Sequence, residues 1–440
     1  MEAKWMTLDE VADYLQISKD SVYRLVQKNE IPASKIGNLW RFKKEEVDEW
    51  FKKRASTPDI VTLNPYHIRI QHVERLVGFS TEDTAPNGIA KILAKAFVCS
   101  DDPAFYLYSD QISKLFLNKR YLLDGIHNYL ILIHGDLSAD VYVNNIPMQI
   151  RMLSKRNLKA GEPVRQDDIA NITDLRFVGI DIKEDDCVIF CFKKGWKFGL
   201  FFDFCQADQK TLLDIDGLYH VLGGCYRYLA FQEIYSVLEN EKVFEALFSD
   251  GWFPFIQLLG GGFQELAKFY KDKNKFSSAI EAFIDKFDGD RIRLFIERWW
   301  ANPLFKKKQK ILEAGINAYI SGTNEGYITC IKTLYSEIEG IIRIRYVEEL
   351  GHDPKKFPDL IAYVEQKAEG KFGARGSLGF SDLFYRYLKD IFFKDFDLKT
   401  GKVDLSRHTT SHGVADEKDY NRMKALQAIL ILDQMYFYLT

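Results

Sequence analysis

The sequence predicts a multidomain chain: a small helix-turn-helix module with a β-hairpin wing, an α+β middle, and an all-α carboxyl-terminal bundle. Three observations carry this. Two short segments of 3.6-residue period stand near the amino end with only Gln16 and Ile17 between the first and the capping residue of the second. Period-2 apolar runs gather between about residues 128 and 204, and strand patterns vanish from about residue 235 onward. At 440 residues the chain exceeds what one core usually holds, and about 150 residues per domain gives two or three. The boundaries read as 1–54, 65–235 and 236–440.

The composition is that of a globular protein, with 47% hydrophobic and 28% charged residues. A net charge of −3 excludes a generally basic chain, so any nucleic-acid binding must come from local segregation of charge. The six cysteines form no CxxC pair and no His lies at finger spacing, which argues against a zinc module or a disulfide framework; they read as small buried hydrophobes. No cofactor motif is complete: "LLGGGFQEL" lacks the GK[ST] of a phosphate-binding loop and reads better as a helix break. The start "MEAKWMTLDEV" has no apolar signal core, and "YLILI" falls far below the ~20 residues needed to span a bilayer, so no membrane is implied and the expected location is the cytoplasm.

In the first module, Thr7 with Glu10 three positions on is a capping box opening a helix whose apolar face is Leu8, Val11, Ala12 and Leu15. Ser18 can cap the second helix, where Val22, Leu25 and Val26 face inward. "IPASKIGNLWRF" reads as a hairpin turning at Gly37 and Asn38, and "KKEEVDEWFKKR" as a third helix carrying Val47, Trp50 and Phe51. From Lys19 to Lys44 seven basic residues stand against two acidic ones, so positive charge gathers on the second helix and the wing. This is the layout a duplex backbone requires. The pattern "MTLDEVADYLQIS", "VYRLVQKNEIP" and "KIGNLWRF" resembles the winged helix-turn-helix of the excisionase and MerR type. The resemblance implies binding of double-stranded DNA, with the second helix in the major groove and the wing on phosphate or the minor groove. The candidate contact residues are Lys19, Ser21, Tyr23, Arg24, Lys28, Lys35, Asn38 and Arg41.

"KKRASTPDIVTLNP" is polar with two prolines and reads as a linker over about 52–64. Helix-like segments follow, "GIAKILAKAF" and "DQISKLFLNKRYLLDGI", then strand-like runs "NYLILIHG", "ADVYVNN", "MQIRML", "CVIFCF" and "FGLFFDF". "NLKAGEPVRQDDI" reads as a turn and a short acidic helix start. His127 and His134, beside a strand-like run, read as satisfied structural residues.

The remainder is helical, punctuated at "LGGG", "FDGD", "ANP", "SGTNEG" and "GHDP". "NRMKALQAILILDQMYFYL" is apolar on nearly every side from Ala425 on, as a buried helix must be. Before it stands "DLSRHTTSHGVADEKDY". His408, His412 and Asp416 recur at four-residue spacing, which permits a metal site on a continuous helix, although Gly413 interrupts it; no metal is assigned. Arg407 with His412 suits metal-free chemistry on a phosphodiester, since imidazole titrates near neutrality and guanidinium supplies fixed charge. "SRHTTSHG" after a helical domain resembles the HEPN superfamily, whose pattern is Arg, four to six residues, then His. "YSEIEGIIRIRY" looks like that family's earlier core helix, with Glu339 at its centre. The resemblance covers residues from about 300 to 440. It implies a metal-independent endoribonuclease active as a homodimer, of the kind found in toxin and antiviral defence systems. It also implies roles: Arg407 as phosphate ligand, His412 as general acid or base, His408 in support. The competing expectation is a noncatalytic DNA-binding regulator that uses the helical domain for dimerisation or ligand sensing.

Overall fold

A computed structural model describes residues 5–15, 19–27, 31–37, 39–55, 66–74, 76–117, 128–194, 198–205, 211–271, 276–373, 376–399 and 403–440. By compactness the chain divides into two units, Met1–Pro65 with Leu158–Val164, and Tyr66–Asn157 with Arg165–Thr440. A small helix-turn-helix region, a sheet-rich middle and a helical carboxyl-terminal region follow one another along the chain.

The first unit runs β1 (Trp5–Met6), α1 (Leu8–Leu15), α2 (Lys19–Gln27), β2 (Ser34–Ile36), β3 (Leu39–Lys43) and α3 (Lys44–Ala55). Thr7 opens α1 through the reciprocal bonds of a capping box: its N–H donates to Glu10 Oε2 at 2.7 Å and its Oγ1 accepts from Glu10 N at 3.2 Å. Val11, Ala12, Val22 and Val26 of the two helices close on Ile31, Phe42 and Val47 in one core. Phe42, fully buried, ties the wing to that core. Two-residue β1 adds to β3 with Met6 opposite Phe42, a strand too short to leave a periodic trace in sequence. The linker expected over about 52–64 starts later, because α3 continues to Ala55, and residues 56–64 lie outside the described residues.

The second unit begins with β4 (Tyr66–Ile70), β5 (Phe79–Ser80), β6 (Ile92–Leu93), β7 (Phe97–Cys99), α4 (Ala104–Leu117), β8 (Asn128–Ile133), β9 (Ala139–Val143), β10 (Met148–Ser154), β11 (Ile169–Phe177), β12 (Cys187–Lys194) and β13 (Phe198–Asp203). Six of these make an antiparallel sheet in the order β4-β9-β8-β12-β13-β7. "YLILI" is apolar throughout because both faces are covered. Tyr129, Ile131 and Ile133 pack with α4 residues on one side, and Leu130 and Leu132 join Leu218, Tyr219 and Leu222 on the other. "GIAKILAKAF" is not helical. Leu93 pairs with Phe79, and Phe97–Cys99 joins the sheet edge beside β13, so pairing overrides a weak helical period.

The ribbon β10–β11 links two cores. Ala170 and Ile172 enter the helical core, whereas Leu175 and Phe177 enter the core under the sheet. Helix α5 (Ile215–Ala230) lies on that ribbon at Gly223, where a Cβ would come within 2.4 Å of the Asp174 Cα. Helices therefore start before residue 235.

The helical region contains α6 (Gln232–Glu239), α7 (Glu241–Ser249), α8 (Gly262–Lys271), α9 (Phe276–Asp285), α10 (Gly289–Ile296), α11 (Pro303–Ile320) and α12 (Asn324–Leu350). After these come α13 (Phe357–Phe372), α14 (Ser381–Tyr387, running into a π-turn over Leu388–Phe392), α15 (Arg407–His412) and α16 (Arg422–Leu439). The sequence punctuation supplies the caps: Asp288 for α10, Asn302 for α11, Thr323 for α12, and Gly351, at φ +74°, ends α12. "LLGGG" opens α8, and Gly260 sits directly against the Asp167 carboxylate, an acidic neighbour unsuited to phosphate. The basic run "FKKKQK" is also occupied, with Lys307 on Glu348 and Lys308 on Glu337, each at 3.0 Å.

Helix α16 is buried nearly throughout and carries Asp433 inside, 1% exposed. A buried carboxylate costs several kcal/mol unless paired. Here Arg298 Nη2 donates to both oxygens at 2.5 and 2.6 Å, Trp299 Nε1 donates at 2.7 Å and Gln257 Nε2 at 2.8 Å. Asp433→Ala is expected to cost about 3–5 kcal/mol in guanidinium unfolding, because it strands three donors. Lys307→Ala, which removes an exposed pair, should cost at most about 1 kcal/mol. Equal losses would contradict this ledger of the core.

Candidate functional site

Two groups of residues stand out, one in each unit. On the helix-turn-helix, Lys19 Nζ lies 2.6 Å from Asp9 Oδ1 with both side chains largely exposed, and Tyr23 of α2 is 49% exposed. On the wing, Lys35 Nζ sits 5.5 Å from the Trp40 ring centre, and Arg41 Nη1 donates to the Trp40 carbonyl at 3.0 Å. Lys43 and Lys44, at the wing's end, are engaged locally. Lys43 is 3.1 Å from Glu46, and Lys44 donates to Asp48 at 2.7 Å and to the Tyr14 hydroxyl at 2.9 Å. The Asp48 bond, with the Tyr14 bond, raises the Lys44 ammonium above its ordinary range. Lys28 and Asn38 lie outside the described residues, as do the side chains of Ser21 and Arg24.

In the second unit Arg407, His408 and His412 all belong to α15. Ser406 caps it, Oγ accepting from Thr409 N at 3.2 Å and Ser406 N donating to Thr409 Oγ1 at 2.8 Å. Gly413, left-handed at φ +68°, stops it after His412, a conformation that excludes most side chains. Asp416 consequently leaves the His face: its Oδ1 accepts from Lys418 N at 3.2 Å as the cap of a following 3₁₀ turn. Among the described residues no group of three or more His, Cys, Asp or Glu is placed to hold a metal ion.

Arg407 Nε lies 2.5 Å from Glu339 Oε2 of α12, an ion pair set off the hydrogen-bond line, since neither atom has an aligned partner. Glu339 Oε1 accepts from Arg343 Nη2 at 2.9 Å. The carboxylate is nearly buried, whereas a quarter of the Arg407 side chain remains accessible. His408 Nδ1 is 2.9 Å from Asp395 Oδ1, and its ring packs against Phe357 and Phe393. His412 is exposed, its ring centre 5.5 Å from that of Phe396. Arg407 and His412 stand at opposite ends of the helix, roughly 140° apart around it by its period. No hydrogen bond or ion pair joins them among the described residues. A polar cleft of about 520 Å³ abuts the start of α15 at Asp404 and Leu405. Of its three cations, Arg386 meets Glu245 in a two-pronged contact and Lys394 meets Asp404, whereas Lys424 donates to the Asp250 carbonyl at 2.8 Å and burial lowers its ammonium to about 8.

Residues 5–55 match a family model described as a helix-turn-helix domain, which supports DNA binding by this protein. No curated protein and no solved structure matches the chain.

A third cluster surrounds His134, which is the satisfied structural residue the sequence suggested, though its partners were not foreseen. His134, at the end of β8, places Nδ1 2.7 Å from Asp186 Oδ1 and Nε2 2.9 Å from Asp140 Oδ2. Asp140 of β9 also meets His67 Nε2 at 2.7 Å and Arg69 Nη1 at 2.5 Å, both on β4. The His67 ring stacks on Tyr142 at 4.6 Å. Nothing in the spacing of these residues announces them, because strand pairing alone brings positions 67, 134, 140 and 186 together. Burial opposes charge on His134, but its bonds to Asp140 and Asp186 outweigh it and raise the imidazole above 6.5. Burial likewise opposes charge on Asp140, and bonds from His134 and His67 lower it below 3.8. The His134 contribution to stability is therefore complete below about pH 6.5 and fades as pH rises through the raised folded value, while that of Asp140 is complete above about pH 4. The stability gap between the wild type and His134→Ala, from urea unfolding, should be widest from about pH 4.5 to 6.5 and narrow toward pH 9. A gap that widens with pH would refute it.

Proposed function

We propose that this protein is a DNA-binding effector whose carboxyl-terminal helical region, taken as HEPN-like, cleaves RNA without a metal ion. The DNA-binding half rests on the helix-turn-helix match together with the exposed aromatic and basic side chains of α2 and the wing. In this reading Lys19, Ser21, Tyr23, Arg24 and Lys28 follow the major groove, and Lys35, Asn38 and Arg41 of the wing follow the backbone.

The RNA-cleaving half rests on one observation: Arg407 is fixed by a nearly buried carboxylate yet stays partly accessible, on the same six-residue helix as an exposed imidazole. RNA carries its own nucleophile. A base takes the proton of the 2′-hydroxyl, whose oxygen attacks phosphorus; an acid protonates the departing 5′-oxygen; a 2′,3′-cyclic phosphate remains. His412 serves as acid or base, Arg407 neutralises the phosphorane-like transition state, and His408 supports the helix from its seat among Phe357, Phe393 and Asp395. Because Arg407 and His412 do not touch within one chain, the reading requires a homodimer in which a second copy completes the cleft.

A second reading is favoured by the same ion pair. Arg407 on Glu339, with the Ser406–Thr409 cap, also suffices to tie a helix end to its neighbour, and the protein would then be a noncatalytic DNA-binding regulator.

Two measurements separate these. Arg24→Ala and Arg41→Ala are each expected to weaken duplex DNA binding and to lower the slope of log K against log salt by about 1. Unchanged binding would remove the groove assignment. On RNA in the presence of EDTA the purified protein should leave 2′,3′-cyclic phosphate ends, and His412→Ala should reduce the rate by about 10²–10⁴-fold. Failure to generate such ends on any RNA, with or without DNA, would leave the regulator.

A further inference from the structure

Cys187 and Cys205 are far apart in sequence spacing terms, yet they face each other across two strands. In the β12–β13 ladder Ile189 stands opposite Asp203 and Phe190 opposite Phe202. The ladder continues one step beyond the regular strands, since Phe204 N donates to the Val188 carbonyl at 2.8 Å. The next opposed pair is therefore Cys187 and Cys205. It takes the non-hydrogen-bonded place in the ladder, because the bond from Phe204 N to the Val188 carbonyl belongs to the pair beside it, and at such positions Cα atoms lie about 4.5 Å apart with side chains on one face. That separation falls within the range a disulfide spans, about 4.4–6.8 Å. Both side chains accordingly belong to the same core, with Ile189, Cys191 and Phe201.

We propose that Cys187 and Cys205 are a peroxide-oxidisable dithiol that closes into a cross-strand disulfide. The two positions differ in access, which assigns their roles. Cys187 is buried, while Cys205 is half-buried and borders a cavity of about 20 Å³ lined also by Tyr108, Ile189, Phe201 and Asp203. Such a space admits one water-sized molecule, so the oxidant is hydrogen peroxide rather than a bulky disulfide. In the first step the Cys205 sulfur attacks one peroxide oxygen, the O–O bond breaks, and Cys205 becomes a sulfenic acid with loss of water. In the second the Cys187 sulfur displaces that hydroxyl, the S–S bond forms, and a second water leaves. Two thiols and one peroxide give one disulfide and two waters.

The hydrogen bond with Cys187, then burial, then the nearby Asp203 carboxylate hold the Cys205 thiol protonated. Attack by Cys205 needs its thiolate, so the reaction is slow at neutral pH and quickens as pH rises.

The test uses the full chain treated with hydrogen peroxide from pH 7 to 9, followed by thiol counting under denaturation and peptide mapping. Thiols should fall from six to four, with the cross-link joining the Cys187 and Cys205 peptides. Cys187→Ser should stop the reaction at a sulfenic acid on Cys205 that dimedone traps, and Cys205→Ser should leave Cys187 reduced. A disulfide formed instead by Cys99 and Cys225, oxidation of Cys187 in the Cys205→Ser variant, or six thiols surviving at pH 9 would overturn the assignment.

Discussion

A single carboxylate governs the carboxyl-terminal arrangement. Glu339 sits in the middle of the 27-residue α12, flanked by the fully buried Ile338, Ile341 and Ile342, and such a group is tolerated only when cations meet it. Arg343 meets one oxygen from the next turn of the same helix. The other is met by Arg407, from a helix of six residues that is too short to hold its shape in water by itself. What positions α15 is thus the charge it brings to Glu339, the Ser406–Thr409 cap, and the burial of Thr409 and Thr410. The orientation of His408 and His412 follows from that placement.

The same economy recurs wherever the second unit joins distant parts of the chain. Asp433 gathers Arg298, Trp299 and Gln257; Asp140 and Asp186 hold His134 between them; and the buried Asn171 donates to the Phe372 carbonyl while accepting from Leu378 N. Each is a polar group inside a core, and each is satisfied by an element remote in sequence. Apolar burial supplies the bulk of the driving force, but it is nondirectional. The hydrogen-bonded acids fix which helix end meets which strand.

This division explains what could be read from sequence. Elements set by local chemistry were legible: the Thr7–Glu10 cap, the wing, the helix breaks at "FDGD", "ANP" and "SGTNEG", and the burial of α16. So was the three-residue turn before β11, at Gln166–Asp168, though the nine-residue strand after it was not. Its "IANITDLRF" alternates imperfectly because Ala170, Asn171 and Ile172 are all buried, two of them against the helical core. "GIAKILAKAF" failed for the opposite reason, carrying a helical period that strand pairing overrode. At the site, the residues of α15 were visible as a cluster, but their partners were only half visible. Glu339 could be singled out, whereas Asp395, Phe357 and Phe396 could not. The partners of His134 depend wholly on strand pairing, and no spacing rule encodes them.

The helix-turn-helix shows a further limit of counting charges. Seven basic residues between Lys19 and Lys44 suggest a broad positive face, yet Lys19, Lys43 and Lys44 lie beside Asp9, Glu46 and Asp48. Exposed pairs of this kind are worth about 0–1 kcal/mol, so a phosphate can displace the acid at small cost, but the displaced acid then stands close to the same backbone. One module should therefore neutralise few phosphates and bind with a shallow salt dependence. Useful affinity would come from two modules held together, since a tethered second site acts at millimolar effective concentration. A pairing of two chains through the helical region, which the proposed RNA cleavage also calls for, would supply that tether. Under the proposed function, DNA binding and RNA cleavage would share one symmetric contact rather than use two separate devices.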